Sequence, residues 1–265
     1  MRWSKRPGSS NRVIGRLIIT AMMLWAFAAH GAPVPAVAWD WQLDEHVRPP
    51  EGIAVFDTDP DNVSRAQIAA LNRAGVYTIC YVSAGTVEDF RDDKGKFPAR
   101  LVGKTYGDWP DERFLDIRDR QSLPQLMQRR FKRCQQMGFD AIEADNMDVF
   151  ENDSGFDLSR ADGLRYIKLL AKMAHQLGLE IGQKNLPELT PQLVGVMDFA
   201  ITESCYQDGW CRQMRPYLKA GKPVFDAEYT DRPINWKRAC KYAEKSGISM
   251  ILKDRALSKK RHICP

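Results

Sequence analysis

Short β-branched and aromatic runs alternate with amphipathic, helix-like stretches along most of the chain. The runs predict eight strands, at residues 53–57, 76–82, 113–117, 140–145, 181–185, 199–203, 223–228 and 248–252. The stretches between them predict five helices, at about residues 62–74, 120–137, 157–178, 186–197 and 233–246. Nearly continuous apolar strands that alternate with helices are typical of a parallel sheet covered on both faces.

Eight such strands favour a closed (β/α)8 barrel over an open sheet. A ninth apolar run, residues 39–43, lies nine residues before the first of these strands. Because that gap is too short for a helical crossover, we expect this run to lie outside the parallel register. The sequence therefore predicts an α/β fold, a TIM barrel with one extra N-terminal strand, as a single domain over residues 39–265.

The first 31 residues have the three-part layout of a secretory signal peptide. A basic segment precedes an apolar run at residues 17–29, and small residues follow it. That run is shorter than the roughly 20 residues of an ordinary membrane span, although an uncleaved anchor is an alternative. We therefore predict a leader over residues 1–31, with cleavage no later than residue 38. We expect secretion to the exterior or the periplasm, without stable membrane insertion.

The excess positive charge of the chain is confined to this leader. The sequence carries 39 Lys and Arg against 34 Asp and Glu, and all five excess bases fall within residues 1–31. The balanced remainder argues against a nucleic-acid binder, which needs a basic surface on its folded part. The sequence also lacks a glycine-rich phosphate loop and the GxSxG motif of serine hydrolases.

Six cysteines in an exported chain allow three disulfides. Two pairs are favoured by proximity or by position near the chain end: Cys205 with Cys211, and Cys240 with Cys264. Cys80 lies within a predicted strand, where a buried free thiol and a bond to Cys134 are both consistent with the pattern. No histidine clusters with these cysteines, so we expect no zinc site.

Polar side chains gather where the predicted strands end. In a parallel barrel, the carboxyl ends of the strands form the face that carries the chemistry. The residues at or just after these ends are Asp57, Asp59, Asp116, Glu143, Asp145, Lys184, Asn185, Glu203, Asp226, Glu228, Lys253 and Asp254. A carboxylate in such a place often only caps the next helix. Two carboxylates that face each other across a pocket are, however, the minimum requirement for glycoside cleavage, and nearby aromatic rings suit stacking on sugars.

Several long segments of the chain also match one enzyme family. The longest of them are residues 79–93, 97–118, 138–148 and 199–211. With shorter matches they run in family order from about residue 39 to 255, and on them the chain resembles glycoside hydrolase family 114, the endo-α-1,4-polygalactosaminidases. The resemblance implies retaining cleavage of internal α-1,4 linkages in a galactosamine-rich polysaccharide. It also implies that Asp145 is the nucleophile and that Glu203 is the acid/base.

For this reaction we expect Asp145 to stay ionised and the pKa of Glu203 to be raised. The further acids suit a substrate that carries ammonium groups. The residues expected to bind substrate are Asp57, Asp59, Tyr81, Glu88, Trp109, Asn146, Lys184, Tyr206, Asp226, Glu228 and Tyr229. We expect a monomer that needs neither cofactor nor metal and whose partner is a galactosamine-containing polysaccharide.

Three alternatives remain open from the sequence. Glu228 competes with Glu203 for the acid/base role, because acids on the fourth and seventh strands pair in other barrel glycosidases. A polysaccharide-binding barrel without turnover would use the same aromatic residues. A metal-dependent hydrolase would hold a hard cation through Asp57, Asp59, Asp145 and Asp148.

Overall fold

The structure, a computed structural model, describes residue 33, residues 35–107 and residues 109–264 of the chain. The predicted signal peptide lies outside the described residues. The strands are β1 (Trp39–Gln42), β2 (Val55–Thr58), β3 (Tyr77–Ser83), β4 (Thr86–Glu88), β5 (Val102–Tyr106), β6 (Trp109–Leu115), β7 (Ala141–Asp145), β8 (Glu180–Lys184), β9 (Phe199–Glu203), β10 (Val224–Tyr229), β11 (Ser249–Lys253) and β12 (Arg261–Ile263). The α-helices are α1 (Arg65–Arg73), α2 (Ser122–Met137), α3 (Arg160–Gln176), α4 (Thr190–Leu193), α5 (Arg215–Lys219) and α6 (Trp236–Ser246).

Nine of these strands form one sheet that closes almost completely on itself. Its order is β1-β2-β3-β7-β8-β9-β10-β11-β12. The first eight strands in that order are parallel, and β12 pairs antiparallel with β11. The two ends of the parallel set meet where Lys253 Nζ donates to Asp40 Oδ1 at 3.0 Å. This arrangement confirms the predicted α/β class and the TIM barrel.

The prediction for residues 39–43 is wrong in one respect, because β1 lies within the parallel register. Trp39 pairs with Val55, and Gln42 pairs with Thr58. The prediction assumed a helical crossover, but the strand has only four residues. A connection of about a dozen residues is therefore long enough to return along the barrel without a helix. The strand added to the eight parallel ones is β12, near the C-terminus.

The run at residues 113–117 does not supply a barrel strand, which is a second correction. Its first residues belong to β6, in a three-stranded antiparallel sheet of order β4-β6-β5, hereafter the accessory sheet. The last residues of β6, Phe114 and Leu115, are buried, whereas most of the strand is exposed. Only this end of the strand meets the core, which explains why a short apolar run resembled a barrel strand.

The core has an inner and an outer layer. Aromatic side chains fill the barrel interior, where the Trp39 and Phe225 ring centroids lie 5.2 Å apart. Aliphatic side chains such as Ile68 and Leu170 form the outer layer between strands and helices. Because large rings occupy the lower interior, room for a ligand remains at the carboxyl ends of the strands.

Local signals set the bounds of the helices. Ser64 and Ser159 begin α1 and α3 with capping boxes. Gly138 and Gly247 end α2 and α6 in the left-handed conformation. The helix predicted at residues 186–197 is largely a 3-10 turn followed by the short α4, because Leu186 is left-handed and Pro187 follows it.

Three disulfides join the six cysteines. They link Cys80 to Cys134, Cys205 to Cys211 and Cys240 to Cys264. The two favoured pairs are confirmed, and the open choice at Cys80 is decided for a bond between β3 and α2. None of the described helices is long and apolar enough to cross a membrane.

Candidate active site

A cavity of about 550 Å³ opens at the carboxyl ends of the barrel strands. The accessory sheet forms part of its wall, through β4 and β6. The sequence-predicted site residues that line it are Asp59, Tyr81, Glu88, Trp109, Asp145, Asn146, Lys184, Glu203 and Tyr229. Asp57, Tyr206, Asp226 and Glu228 do not line it. The barrel therefore brings most of the predicted residues to one face.

The ammonium group of Lys184 is the centre of the site. Its Nζ lies 2.8 Å from Glu143 Oε1, 3.0 Å from Asp145 Oδ1 and 3.3 Å from Glu203 Oε2. It also lies 4.4 Å from the centroid of the Trp41 ring, which forms the floor beneath it. Burial alone would lower the pKa of Lys184, but the carboxylates raise it well above its usual value. Lys184 therefore stays protonated and balances the negative charge of these carboxylates.

A left-handed residue follows each of three neighbouring strands. Asn146 has φ +57° after Asp145, Asn185 has φ +46° after Lys184, and Ser204 has φ +55° after Glu203. Residues other than glycine rarely adopt this conformation, and such outliers cluster at functional sites. The turn at each strand end directs the preceding side chain into the cavity and ends the strand there.

Asp145 ends β7 with its carboxylate partly exposed to the cavity. Besides Lys184, its Oδ1 accepts a hydrogen bond of 2.7 Å from the backbone N–H of Asn146. The side-chain amide of Asn146 donates to Ser83 Oγ at 2.9 Å and to Thr86 Oγ1 at 3.1 Å. One carboxylate oxygen of Asp145 is thus fixed by the protein.

Glu203 ends β9 and is bound from three sides. The Tyr229 hydroxyl donates to its Oε1, and Asn185 Nδ2 donates to its Oε2 at 3.1 Å. Burial alone would raise the pKa of Glu203, but Lys184, Tyr229 and Asn185 together lower it. The expectation of a raised pKa is therefore wrong for the unliganded site, because the sequence did not reveal these donors.

Two carboxyl groups share a proton beneath this site. Burial and the charge of Glu143 raise the pKa of Asp57 well above its usual value. Burial also raises the pKa of Glu143 to about 7, against the opposing effect of Lys184. No N–H or O–H of the described residues donates to either Asp57 oxygen, and a side-chain interaction with Glu143 adds to the rise in the pKa of Asp57. Asp57 thus supports the site from below and has no access to the cavity.

Asp226 and Glu228 form a second buried acid pair, on β10. Glu228 accepts backbone hydrogen bonds from Tyr206 at 2.6 Å and from Gln207 at 2.9 Å. Burial and the charge of Glu228 raise the pKa of Asp226 well above its usual value. This pair holds the loop that follows Glu203, and the disulfide between Cys205 and Cys211 closes the same loop.

Two of the acids expected to meet substrate are paired with the same arginine. Arg91 lies 2.6 Å from Asp59 Oδ2 and 2.7 Å from Glu88 Oε1. All three side chains are largely buried, so these contacts are fixed. Their charges are less available to a ligand than the sequence pattern implied.

Several lining residues were absent from the predicted set. They include Trp41, Phe90, Tyr106, Glu112, Asn185 and Arg255. Asn185 follows Lys184 at a strand end, so that position was a usable signal. Phe90 and Glu112 fall within residues 84–112, whose charged and aromatic composition favours a cleft wall, but the path of the accessory sheet over the barrel is a tertiary feature. Glu112 is half-buried, and burial together with Glu88 raises its pKa to about 7 despite a hydrogen bond from Thr86.

The residues considered as metal ligands do not converge. Among the described residues, one group of His, Cys, Asp and Glu brings its ligand atoms within 4.8 Å of one another: Cys205, Cys211, Asp226 and Glu228. Its cysteines are joined in a disulfide, so their sulfurs are not thiolate ligands. At Asp145 the cation is the Lys184 ammonium, and at Asp59 it is Arg91.

A parallel barrel that ends in two carboxylates within an open cavity defines the class of barrel glycoside hydrolases. The sequence profile of glycoside-hydrolase family GH114 matches residues 25–265. The chain belongs to this family and is a glycoside hydrolase.

The chain is similar to several known proteins. Ega3 of Aspergillus fumigatus, solved in complex with galactosamine, is 30% identical with a TM-score of 0.82 over 88% of this chain and 96% of that one. The glycoside hydrolase domain of PelA from Pseudomonas aeruginosa is 16% identical with a TM-score of 0.66 over 87% of this chain and 99% of that one, which shows a shared fold. An uncharacterized protein of Deinococcus radiodurans is 26% identical over 237 residues, 81% of this chain and 76% of the relative.

Replacing Lys184 by Met should destabilise the protein by about 3–5 kcal/mol at pH 8, because buried carboxylates lose their counter-ion. Without the lysine the pKa values of these carboxyl groups in the folded state rise. The loss in the free energy of unfolding is therefore greatest at a pH well above those values, and it shrinks as the pH falls towards 4. Urea unfolding at pH 8 and pH 5 measures this difference. Lys104→Met, which breaks an exposed contact with Asp153, is the control and should cost less than about 1 kcal/mol. Equal losses for both variants at pH 8 would contradict the central role of Lys184.

Proposed function

We propose that this protein is an exported, retaining glycoside hydrolase that cleaves internal α-1,4 linkages of a galactosamine-rich polysaccharide. The observation that carries the proposal is that Asp145 and Glu203 both reach Lys184 Nζ at the floor of an open cavity. Glycoside hydrolysis needs two carboxyl groups that flank the scissile bond. The membership of the chain in family GH114 supports the same reaction.

The closeness of the two carboxyl groups supports retention. Asp145 Oδ1 and Glu203 Oε2 lie 3.0 and 3.3 Å from one nitrogen. These oxygens are therefore closer together than the ~6.5 Å at which the range for inverting pairs begins. An inverting enzyme needs the wider gap to seat a water molecule opposite the leaving group, whereas a retaining enzyme places a nucleophile there.

Asp145 is the proposed nucleophile, and Glu203 is the proposed acid and base. The Asp145 carboxylate attacks the anomeric carbon while the bond to the leaving oxygen breaks, and Glu203 gives that oxygen its proton. Water then attacks the anomeric carbon, Glu203 accepts a proton from it, and the ester bond to Asp145 breaks. The second step restores both carboxyl groups to their starting states.

The charge balance around Lys184 changes in the direction that the two proposed reaction steps need. When Asp145 forms its ester it becomes neutral, and Lys184 then has one fewer anion to balance. The ammonium group remains 3.3 Å from Glu203 and stabilises its carboxylate, the form that acts as a base. The first step needs the protonated form, so Glu203 must bind a proton before the leaving group departs.

Charge also supports an amino-sugar substrate. The cavity lining contains seven acids, namely Asp59, Glu88, Asp111, Glu112, Asp145, Asp148 and Glu203, against the three bases Arg91, Lys184 and Arg255. An acidic cleft attracts a polymer that carries ammonium groups. The related Ega3 was solved with galactosamine, which is such a sugar. Exposed rings of Trp109 and Phe90 at the mouth suit stacking on a long saccharide.

Export is part of the proposal. Three disulfides close loops of the described chain, and disulfides persist in oxidising compartments. The leader-like sequence of residues 1–31 is consistent with the same destination.

Replacing Glu203 by Gln should reveal its role through the leaving group. On defined α-1,4-galactosamine oligomers we expect E203Q to lose about 10²–10⁴-fold in kcat/KM, because Gln cannot protonate the leaving oxygen. On a dinitrophenyl α-galactosaminide, whose phenolate leaves without a proton, the loss in the first step should be much smaller. Product masses and NMR of the first anomer released complete the measurement, and we expect the α anomer.

Glu228→Gln is the matched comparison. Because Glu228 acts on the loop after Glu203, E228Q should slow both substrates by a similar factor. A dependence on the leaving group in E228Q but not in E203Q would transfer the acid/base role to Glu228. No cleavage of any galactosamine oligomer by the unmodified protein would refute the proposed function itself.

A further inference from the structure

Glu112 reaches the cavity from the accessory sheet and not from the barrel. Its Oε2 accepts hydrogen bonds from Thr86 Oγ1 at 2.7 Å and from Asn146 Nδ2 at 3.2 Å. Thr86 begins β4, and Asn146 follows the strand that carries Asp145. One carboxylate oxygen thus joins the accessory sheet to the residue beside the proposed nucleophile.

The hydroxyl groups around this contact donate in one direction. Ser83 Oγ and Thr86 Oγ1 lie 2.5 Å apart. Because the single hydroxyl proton of Thr86 is donated to Glu112, Ser83 must donate to Thr86. The two N–H protons of the Asn146 side-chain amide are shared among the acceptors Ser83, Thr86 and Glu112. The hydrogen bonds therefore end at Glu112, either directly or through Thr86. An ionised Glu112 can only accept.

These contacts hold Asn146 in an uncommon backbone conformation. Its φ is +57°, and its backbone N–H donates to Asp145 Oδ1 at 2.7 Å. A residue with a side chain persists in the left-handed region when its surroundings fix it there. If the side chain were released, the backbone would relax and the N–H would turn away from the nucleophile.

The backbone that leads from β3 into the accessory sheet is packed directly against the same turn. A Cβ on Gly85 would lie 1.6 Å from the carbonyl oxygen of Asn146, so only glycine fits there. The N–H groups of Ala84 and Gly85 donate to the carbonyl oxygen of Asp145, at 3.0 and 3.2 Å. Leu115 of β6 donates its N–H to the oxygen of Gly85 at 2.9 Å. These contacts couple the position of the Asn146 turn to that of the accessory sheet.

We infer that Glu112 is a positioning residue for Asp145, which acts through Thr86 and Asn146 to hold the Asn146 N–H on the nucleophile. The inference rests on the proposed function, in which Asp145 attacks the sugar. It gives the accessory sheet a role in the reaction beyond that of a cavity wall. Substrate contact by Glu112 is not required for this role.

The surroundings of Glu112 make its ionisation sensitive to pH. Partial burial, together with Glu88 of β4 and Asp145 of β7, raises its pKa to about 7, while Thr86 and Arg91 oppose the rise. Tyr81 of β3 faces the same group of acids and is neutral, because burial raises its pKa well above the usual value. Glu112 therefore accepts as a carboxylate well above pH 7, and as the pH falls through that value it becomes a neutral acid, which is a weaker acceptor.

The test compares Glu112→Leu with Glu112→Gln. Leu removes the acceptor, so we expect kcat on galactosamine oligomers to fall about tenfold or more, whereas any change in KM from the lost charge should be the same in E112Q. The Gln carbonyl still accepts from Thr86, so E112Q should stay within about threefold of the unmodified enzyme. Asp153→Asn removes an exposed charge beside Lys104 of the accessory sheet and should change neither constant. Circular dichroism and thermal unfolding confirm that each variant is folded.

A second measurement does not depend on activity. In ¹⁵N-labelled protein, the backbone amide resonance of Asn146 should titrate with a midpoint near pH 7, and this step should vanish in E112Q. Unchanged kcat in folded E112L, or an Asn146 amide that does not respond to Glu112, would overturn the inference. Equal losses in E112Q and E112L would also overturn it, in favour of direct contact between the carboxylate and the substrate. If the unmodified protein cleaves nothing, the proposed function fails, and the amide titration still decides the link.

Discussion

The site depends on one buried ammonium group that several carboxylates share. Lys184 binds Glu143, Asp145 and Glu203, and it rests on the ring of Trp41. Without a cation among them, acids this close would repel one another or take up protons. The proton held by Asp57 and Glu143 removes one further charge from the same place. Lys184 therefore allows two carboxyl groups to stand close enough for the proposed double displacement.

Geometry at the strand ends turns this charge balance into a defined site. Asn146, Asn185 and Ser204 are all left-handed, and each follows a residue that lines the cavity. Other parts of the molecule hold these turns: the accessory sheet fixes the first, and the Glu228 contacts with the disulfide loop fix the region after the third. Rigid support of this kind keeps reacting groups in place during turnover. The barrel brings the reacting side chains to one face, and the attached segments fix the turns that orient them.

Much of this arrangement was predictable, because a parallel barrel brings the ends of its strands together. Asp145, Lys184 and Glu203 end predicted strands, and the structure places all three in one cavity. The lowered pKa of Glu203 was not predictable, since it depends on Tyr229 and Asn185, which meet it through folding. The contacts of Arg91 and the path of residues 109–115 were hidden for the same reason. The local pattern predicts which side chains a strand carries, but partners from distant segments decide whether those side chains are charged.

The central claim is that Asp145 forms a covalent bond to the sugar while Lys184 balances the charge around it. The most direct measurement is mass spectrometry of the protein after reaction with 5-fluoro-α-galactosaminyl fluoride, a reagent whose slow hydrolysis allows the glycosyl-enzyme to accumulate. The account predicts one added sugar per chain, attached to the peptide that contains Asp145 and absent from D145N. A label on Glu203 or on another carboxylate, or rapid turnover of the reagent by D145N, would contradict it.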